Sequence, residues 1–161
     1  MTTIAWDGRS LAADSCGVNG GILVTSQKIS NHTIGKLRVT MAFSGDLVEG
    51  LRMKDWYLEK VKAEIEGTQP SLPFPSPRVD DGECCTTLVV VNKGKCVFYT
   101  ASPDYPQVVA DKFFAWGSGR EIALGAMAHG ASAYEAVEIA CDLDVYSRKP
   151  VVVFPQYERV E

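Results

Sequence analysis

The chain has 161 residues, enough for one domain with a proper core, and 46% of them are hydrophobic at a mean hydropathy of −0.02. A net charge of −4 and a pI near 5.2 argue against a nucleic-acid or anionic-membrane surface, and no basic run offsets that balance. No apolar stretch approaches the ~18–20 residues that span a bilayer, and no basic segment with an apolar run marks a signal peptide. The odd, scattered set of five cysteines leads to the expectation of a cytoplasmic protein with reduced thiols.

Met1-Thr2-Thr3-Ile4 opens the chain. An initiator methionine is normally trimmed when the next residue is small, as Thr2 is. Trimming would leave a hydroxyl and a free α-amine on one residue. The amine has a reference pKa of about 7.7–8, so part of it is neutral near pH 7 and can accept a proton. A threonine hydroxyl is a poor nucleophile until a base takes its proton, and an N-terminal amine is one such base. The plain alternative is an ordinary translation start, and only the rest of the chain can decide.

Thr3–Trp6 reads as a short strand ending at Asp7-Gly8, a hairpin turn signal, with Ser10–Asp14 returning beside it. Ser15–Gly21 is turn-rich. Ile22–Ile29 and Lys36–Ser44 carry β-branched and aromatic residues and read as a second pair of strands. A helix follows, with Leu47, Leu51, Leu58, Val61 and Ile65 as its core stripe, Lys54 off that stripe, and Gly67 as its stop. Residues 68–82 hold four prolines and read as an exposed loop.

Thr86–Asn92, the turn Lys93-Gly94-Lys95 and Cys96–Ala101 form the clearest hairpin, its three valines marking a strand buried on both faces. Phe113–Trp116 is a further strand leading into Gly117-Ser118-Gly119. Glu121–His129 is helical up to Gly130, and Ser132 with Glu135 starts a second helix through a capping box, running to about Cys141–Asp142. Val145-Tyr146 and Pro150–Phe154 close the chain as strands. Runs of strands alternating with runs of helices give an α+β architecture.

Several chemistries are absent. The five cysteines are scattered without a CxxC, and the two histidines lie far apart, so reduced thiols are expected and a zinc site is not. There is no GxxxxGK[ST] and no GxSxG, and nothing local supports a Ser-His-Asp triad through His32 or His129.

Thr2-Thr3-Ile4, Asp14 at the end of the second strand and Lys28 in the next resemble the N-terminal threonine hydrolases. The pattern is similar to proteasome β-type subunits and to the bacterial HslV-type peptidase, including homologues carried by bacteriophages. Ala42-Phe43-Ser44-Gly45 before the first helix, Trp116-Gly117-Ser118-Gly119 before an Ala-rich helix, and Ala136–Ser147 extend the resemblance over nearly the whole chain, residues 1–161.

The resemblance implies a four-layer αββα sandwich of two antiparallel sheets flanked by helices, the N-terminal nucleophile (Ntn) hydrolase fold. It implies a threonine peptidase with Thr2 as nucleophile, Lys28 beside the hydroxyl, Asp14 holding Lys28, the Gly45 N–H facing the oxyanion, and Ser118 and Asp142 around the amine. It requires no cofactor, but implies a monovalent cation such as sodium on the backbone carbonyls of Cys141, Asp144 and Ser147. Its partners would be a polypeptide substrate, like subunits in a ring and an AAA+ unfoldase, with no nucleic acid and no membrane. The family has a second long helix where residues 68–82 lie, and the prolines oppose one here. A catalytically inactive assembly subunit of the same fold is the alternative.

Overall fold

A computed structural model describes residues 2–81 and 83–156, with the backbone alone at 83 and 84. In chain order the strands are β1 (Thr3–Trp6), β2 (Ser10–Ala13), β3 (Cys16–Asn19), β4 (Ile22–Thr25), β5 (Ile29–Ile34) and β6 (Leu37–Ser44). Helix α1 (Leu47–Glu66) comes next, followed by β7 (Val79–Asp80), β8 (Glu83–Cys84), β9 (Thr87–Asn92), β10 (Lys95–Tyr99), β11 (Gln107–Val108) and β12 (Phe114–Gly117). Helices α2 (Arg120–Ala128) and α3 (Ala133–Leu143) precede the last strand, β13 (Val152–Pro155).

Two antiparallel sheets carry the structure, one ordered β12-β1-β2-β13 and the other β11-β10-β9-β6-β5. The two-residue period of a strand sorts their side chains. Ile4, Trp6, Leu11 and Ala13 of the first sheet share a core with Ile29, Ala42, Val89 and Val91 of the second. Their neighbours Ala5, Ala12 and Ala115 face Ala123, Met127, Ala133, Ala136 and Val137 of α2 and α3. On the far face of the second sheet, Met41, Phe43, Leu88 and Val90 meet Met53, Trp56, Tyr57 and Val61 of α1. Leu88 to Val91 are fully buried, as the valine run predicts for the central strand β9. Each such side chain contributes about 1.5–3 kcal/mol.

Four expectations need correction. Cys16–Asn19 is a strand, not a turn: it pairs with β4 in a hairpin closed by Gly20-Gly21, and Ile22, Leu23 and Val24 are exposed there. The segment 22–29 is therefore not one strand. Ser26 N–H donates to the Ser15 carbonyl at 2.9 Å and ends the hairpin, and β5 starts only at Ile29. Helix α1 buries Gly50, Met53, Lys54, Trp56, Tyr57, Val61 and Ala63, while Leu47, Leu51 and Ile65 are about half exposed. The helix carries two stripes at compatible spacing, and the wider aromatic one fills the gap over the sheet. Val145-Tyr146 is a turn, exposed and outside both sheets. The proline-rich stretch has no helix among its described residues, although Val79-Asp80 pairs with β8.

No helix among the described residues is long and apolar enough to cross a membrane. Cys16, Cys85, Cys96 and Cys141 are free thiols.

Candidate active site

The β1–β2 hairpin brings the start of one strand beside the end of the next, with Ile4 opposite Ala13. Asp14 follows β2 directly and is 1% exposed. A buried carboxylate is tolerated only when its lone pairs are filled, and this one is well supplied. Oδ1 accepts from Thr3 N–H at 2.9 Å and from Lys28 Nζ at 3.2 Å. Oδ2 accepts from Cys16 N–H at 2.9 Å and Arg148 N–H at 3.0 Å. The backbone of three separate segments thus fixes one carboxylate.

Lys28 lies between β4 and β5, outside the strand that the sequence suggests. Its carbonyl accepts from Phe43 N–H at 3.2 Å, which pins it beside β6. Its Nζ donates to Thr2 Oγ1 at 2.7 Å while holding Asp14. Burial pushes the Lys28 pKa below the ordinary lysine value, and Asp14 opposes that shift.

On the other side of Thr2, its backbone nitrogen donates to Ser118 Oγ at 3.3 Å. Ser118 Oγ donates in turn to Asp144 Oδ2 at 2.7 Å. Ser147 Oγ donates to the same oxygen at 2.6 Å and lies 2.6 Å from Thr3 Oγ1. Because a serine has one proton, giving it to Asp144 leaves Ser118 lone pairs for the nitrogen of Thr2. Partial burial alone would raise the Asp144 pKa, but hydrogen bonds from Ser147, Ser118 and Tyr146 N–H outweigh it and hold the carboxyl below its usual range.

Backbone shape keeps this turn close. Gly117 has φ +92, and a Cβ there would sit 1.9 Å from the Thr2 carbonyl oxygen. Gly45 stands two residues past Phe43, whose N–H donates to the Lys28 carbonyl. It has φ +111, and a Cβ there would meet the Cys85 carbonyl at 2.1 Å. Both positions admit only glycine.

Of the residues singled out from the sequence, Thr2, Asp14, Lys28 and Ser118 come together in one hydrogen-bonded group. Asp142 does not. Its carboxylate pairs with Lys149 at 3.1 Å on the surface. Helix α3 runs one residue past it, so Asp142 keeps a helical position facing out while Asp144, the C-cap, turns in to Ser118.

For a cation at Cys141, Asp144 and Ser147, the donor set can be tested on its chemistry. Hard cations take oxygen, and burial pushes the Cys141 thiol up to about 11, leaving its carbonyl as the ligand in a last helical turn that lacks in-helix donors. The Asp144 carbonyl already accepts from Ser147 N–H at 3.2 Å, so a cation would share it. The residues fit through backbone oxygens. No cluster of three His, Cys, Asp or Glu side chains suits a metal among the described residues.

The sequence reading missed Thr3 Oγ1 and the side chains of Asp144 and Ser147 as members of the network. A hydroxyl directly after Thr2 was in view, but its partner lies 144 positions away.

The fold belongs to a class already known from solved structures. Thiobacillus denitrificans BPH superimposes with a TM-score of 0.66 at 23% identity, covering 99% of each chain, and BPH has also been solved in complex with epoxomicin. HslV from Trypanosoma brucei gives 0.64 at 19% identity, covering 96% of this chain and 98% of that one. Anbu from Pseudomonas aeruginosa, in a helical assembly, gives 0.63 at 12% identity over 98% and 81%. At these identities the likeness establishes a shared fold. No family model matches the sequence, and no curated protein does.

Proposed function

We propose that this chain is a threonine endopeptidase of the Ntn-hydrolase class, cleaving unfolded polypeptides with Thr2 as nucleophile once Met1 is removed. The three cores, lying between α2/α3 and the first sheet, between the sheets, and between the second sheet and α1, support the four-layer αββα reading and one domain among the described residues. The observation that carries the function is the Lys28 ammonium, 2.7 Å from Thr2 Oγ1 and held by Asp14.

In this mechanism Thr2 Oγ attacks the peptide carbonyl as its proton passes to the freed α-amine, directly or through a water. General-base help of this kind is worth about 10²–10⁴ in rate. Lys28 stabilises the alkoxide as it forms, and its charge lowers the amine and hydroxyl pKa values. The Gly45 N–H faces the developing oxyanion, a contact whose loss costs roughly 2.7–4 kcal/mol. The tetrahedral intermediate collapses, the C–N bond breaks, and the ammonium proton goes to the leaving amine. Water then hydrolyses the Thr2 ester. Ser118, fixed by Asp144, orients the amine. A sodium ion on the carbonyls of Cys141, Asp144 and Ser147 would stiffen the loop bearing Asp144.

Assembly with like subunits belongs to the same reading. It is supported by the half-exposed Leu47, Val48 and Leu51 on α1 and by the assembly of the Anbu neighbour. An AAA+ unfoldase as supplier of substrate and a cytoplasmic setting are part of the same proposal, drawn from the sequence resemblance to the HslV-type peptidase.

The test is hydrolysis of an unfolded polypeptide set against a panel of small amides. Cleavage of the polypeptide by the wild type, abolished in Thr2→Ala and partly kept in Thr2→Ser, is expected. Equal cleavage by Thr2→Ala would refute the assignment, and activity confined to small amides would overturn the substrate class.

A further inference from the structure

A second site, unrelated to Thr2, lies at the opposite end of β1. Strand β1 runs from Thr3 to Trp6, so its far end is roughly 13 Å from the nucleophile at about 3.4 Å per residue. There the β1–β2 turn, the β9–β10 turn and the segment between β11 and β12 surround an open cavity of about 500 Å³. That volume is in the range of small-molecule sites.

The charge around it runs against the rest of the chain. The protein is acidic overall, with a net charge of −4, yet Arg9, Lys93, Lys95 and Lys112 all line this one cavity. Among the described residues none of these four is in an ion pair. Two carboxylates, Asp7 and Asp111, also line it. Asp7 is committed elsewhere. Its Oδ1 accepts from Arg9 N–H and Ser10 N–H, at 2.8 and 2.7 Å, and its Oδ2 from Ala133 N–H at 2.8 Å. Four basic residues therefore line the cavity beside two acidic ones, of which Asp7 is already spent on the backbone.

Repulsion among clustered cations is relieved by a bound anion, so the arrangement favours one. The floor is apolar. Trp6 and Cys96 are buried at its base, Val109 is half-buried there, and the Cys96 thiol is pushed up to about 12 by burial, so it adds no negative charge. Val109 N–H donates to the Cys96 carbonyl at 3.0 Å and fixes that wall to β10.

We infer that the cavity between the β1–β2 and β9–β10 turns is a binding site for a small amphipathic anion, a phosphate or carboxylate head on an aryl or short alkyl body. The head meets Lys93, Lys95, Lys112 and Arg9 at the rim, and the apolar body lies toward Trp6 and Val109. This site is independent of the peptidase reading and stands or falls without it.

Isothermal titration of the full-length protein with phenyl phosphate, inorganic phosphate and phenol tests it. Phenyl phosphate is expected to bind at one site per chain, more tightly than inorganic phosphate, with phenol undetectable. In Lys93→Ala/Lys112→Ala, two exposed changes, affinity for phenyl phosphate falls by about tenfold, as expected for the loss of two charge contacts near the surface. Raising salt from low to high ionic strength weakens binding in the wild type more than in that variant. In Thr2→Ala the affinity is unchanged. No saturable binding, or binding that the double variant leaves intact, overturns the site. Loss of binding in Thr2→Ala puts the anion at the other end of β1 and overturns it too, and equal affinity for inorganic and phenyl phosphate removes the apolar body from the ligand.

Discussion

Lys28 and Lys54 are buried to nearly the same degree, at 5% and 8% exposure, and burial lowers the pKa of both. Their surroundings differ. Lys28 holds Asp14, whose two oxygens are also fixed by three backbone N–H groups, and it reaches the Thr2 hydroxyl. Lys54 points from α1 toward β5 and donates to Ser30 Oγ, which lies 2.8 Å from His32 Nε2. Its ammonium sits 5.9 Å from the centre of the Phe43 ring, and the carboxylate that supports it is Asp55, an exposed neighbour on the helix. A lysine and a serine in contact are not in themselves a catalytic pair. What sets Lys28 apart is a carboxylate held in place by main chain, which keeps a cation fixed beside a hydroxyl.

The largest separation between the two lysines should appear in activity. Lys28→Met is expected to lower the rate of polypeptide hydrolysis by about 10²–10⁴, whereas Lys54→Met stays within about twofold. Initial rates on one unfolded substrate decide it, and similar losses in both would remove the distinction drawn between them.

Stability should separate them next. Asp14→Ala leaves Lys28 without its carboxylate and three backbone donors without an acceptor, so a loss of about 3–5 kcal/mol is expected in urea unfolding. Lys54→Met places an unbranched apolar chain against Phe43 and leaves Ser30 its contact with His32. Its effect should be under about 1 kcal/mol, in either direction.

A smaller contrast concerns two acidic residues two positions apart. Asp144→Asn weakens the acceptor of both Ser118 and Ser147 and is expected to cut activity about 10- to 100-fold, the worth of a hydrogen bond to a charged group. Asp142→Asn breaks a surface pair with Lys149 and should leave activity within about twofold. Equal effects would place the carboxylate of the network wrongly.

The smallest expected effect is one of pH. Both lysines titrate lower in the folded chain than the 10.5 of the unfolded one. Between the folded value and 10.5 the unfolded chain binds more protons, so stability rises with pH across that window. Lys54→Met should flatten the rise, and an unchanged pH dependence of unfolding would show that Lys54 does not contribute to it.

These contrasts also mark how far the sequence could be read. Thr2, Asp14, Lys28 and Ser118 were legible through the resemblance to the N-terminal threonine hydrolases, because the local signal at each is weak and Lys28 lies in the connection between β4 and β5. The choice between Asp142 and Asp144 was not, since it depends on which residue ends α3, and helix ends are poorly marked in sequence. The burial of Lys54 was hidden for a different reason. Two apolar stripes run along α1, and only the sheet beneath selects the one bearing Trp56 and Tyr57. The exposed β3–β4 hairpin was hidden by its glycines, which read as loop until Gly20 and Gly21 are seen as the turn between two strands.

The central claim is that Thr2 carries both the nucleophile and its base. Intact-mass spectrometry of the purified protein, before and after treatment with a threonine-directed electrophile, tests it most directly. The expected mass is that of the chain without Met1, gaining one adduct on treatment, with no adduct in Thr2→Ala. A chain that keeps Met1 and takes up no electrophile would contradict the account.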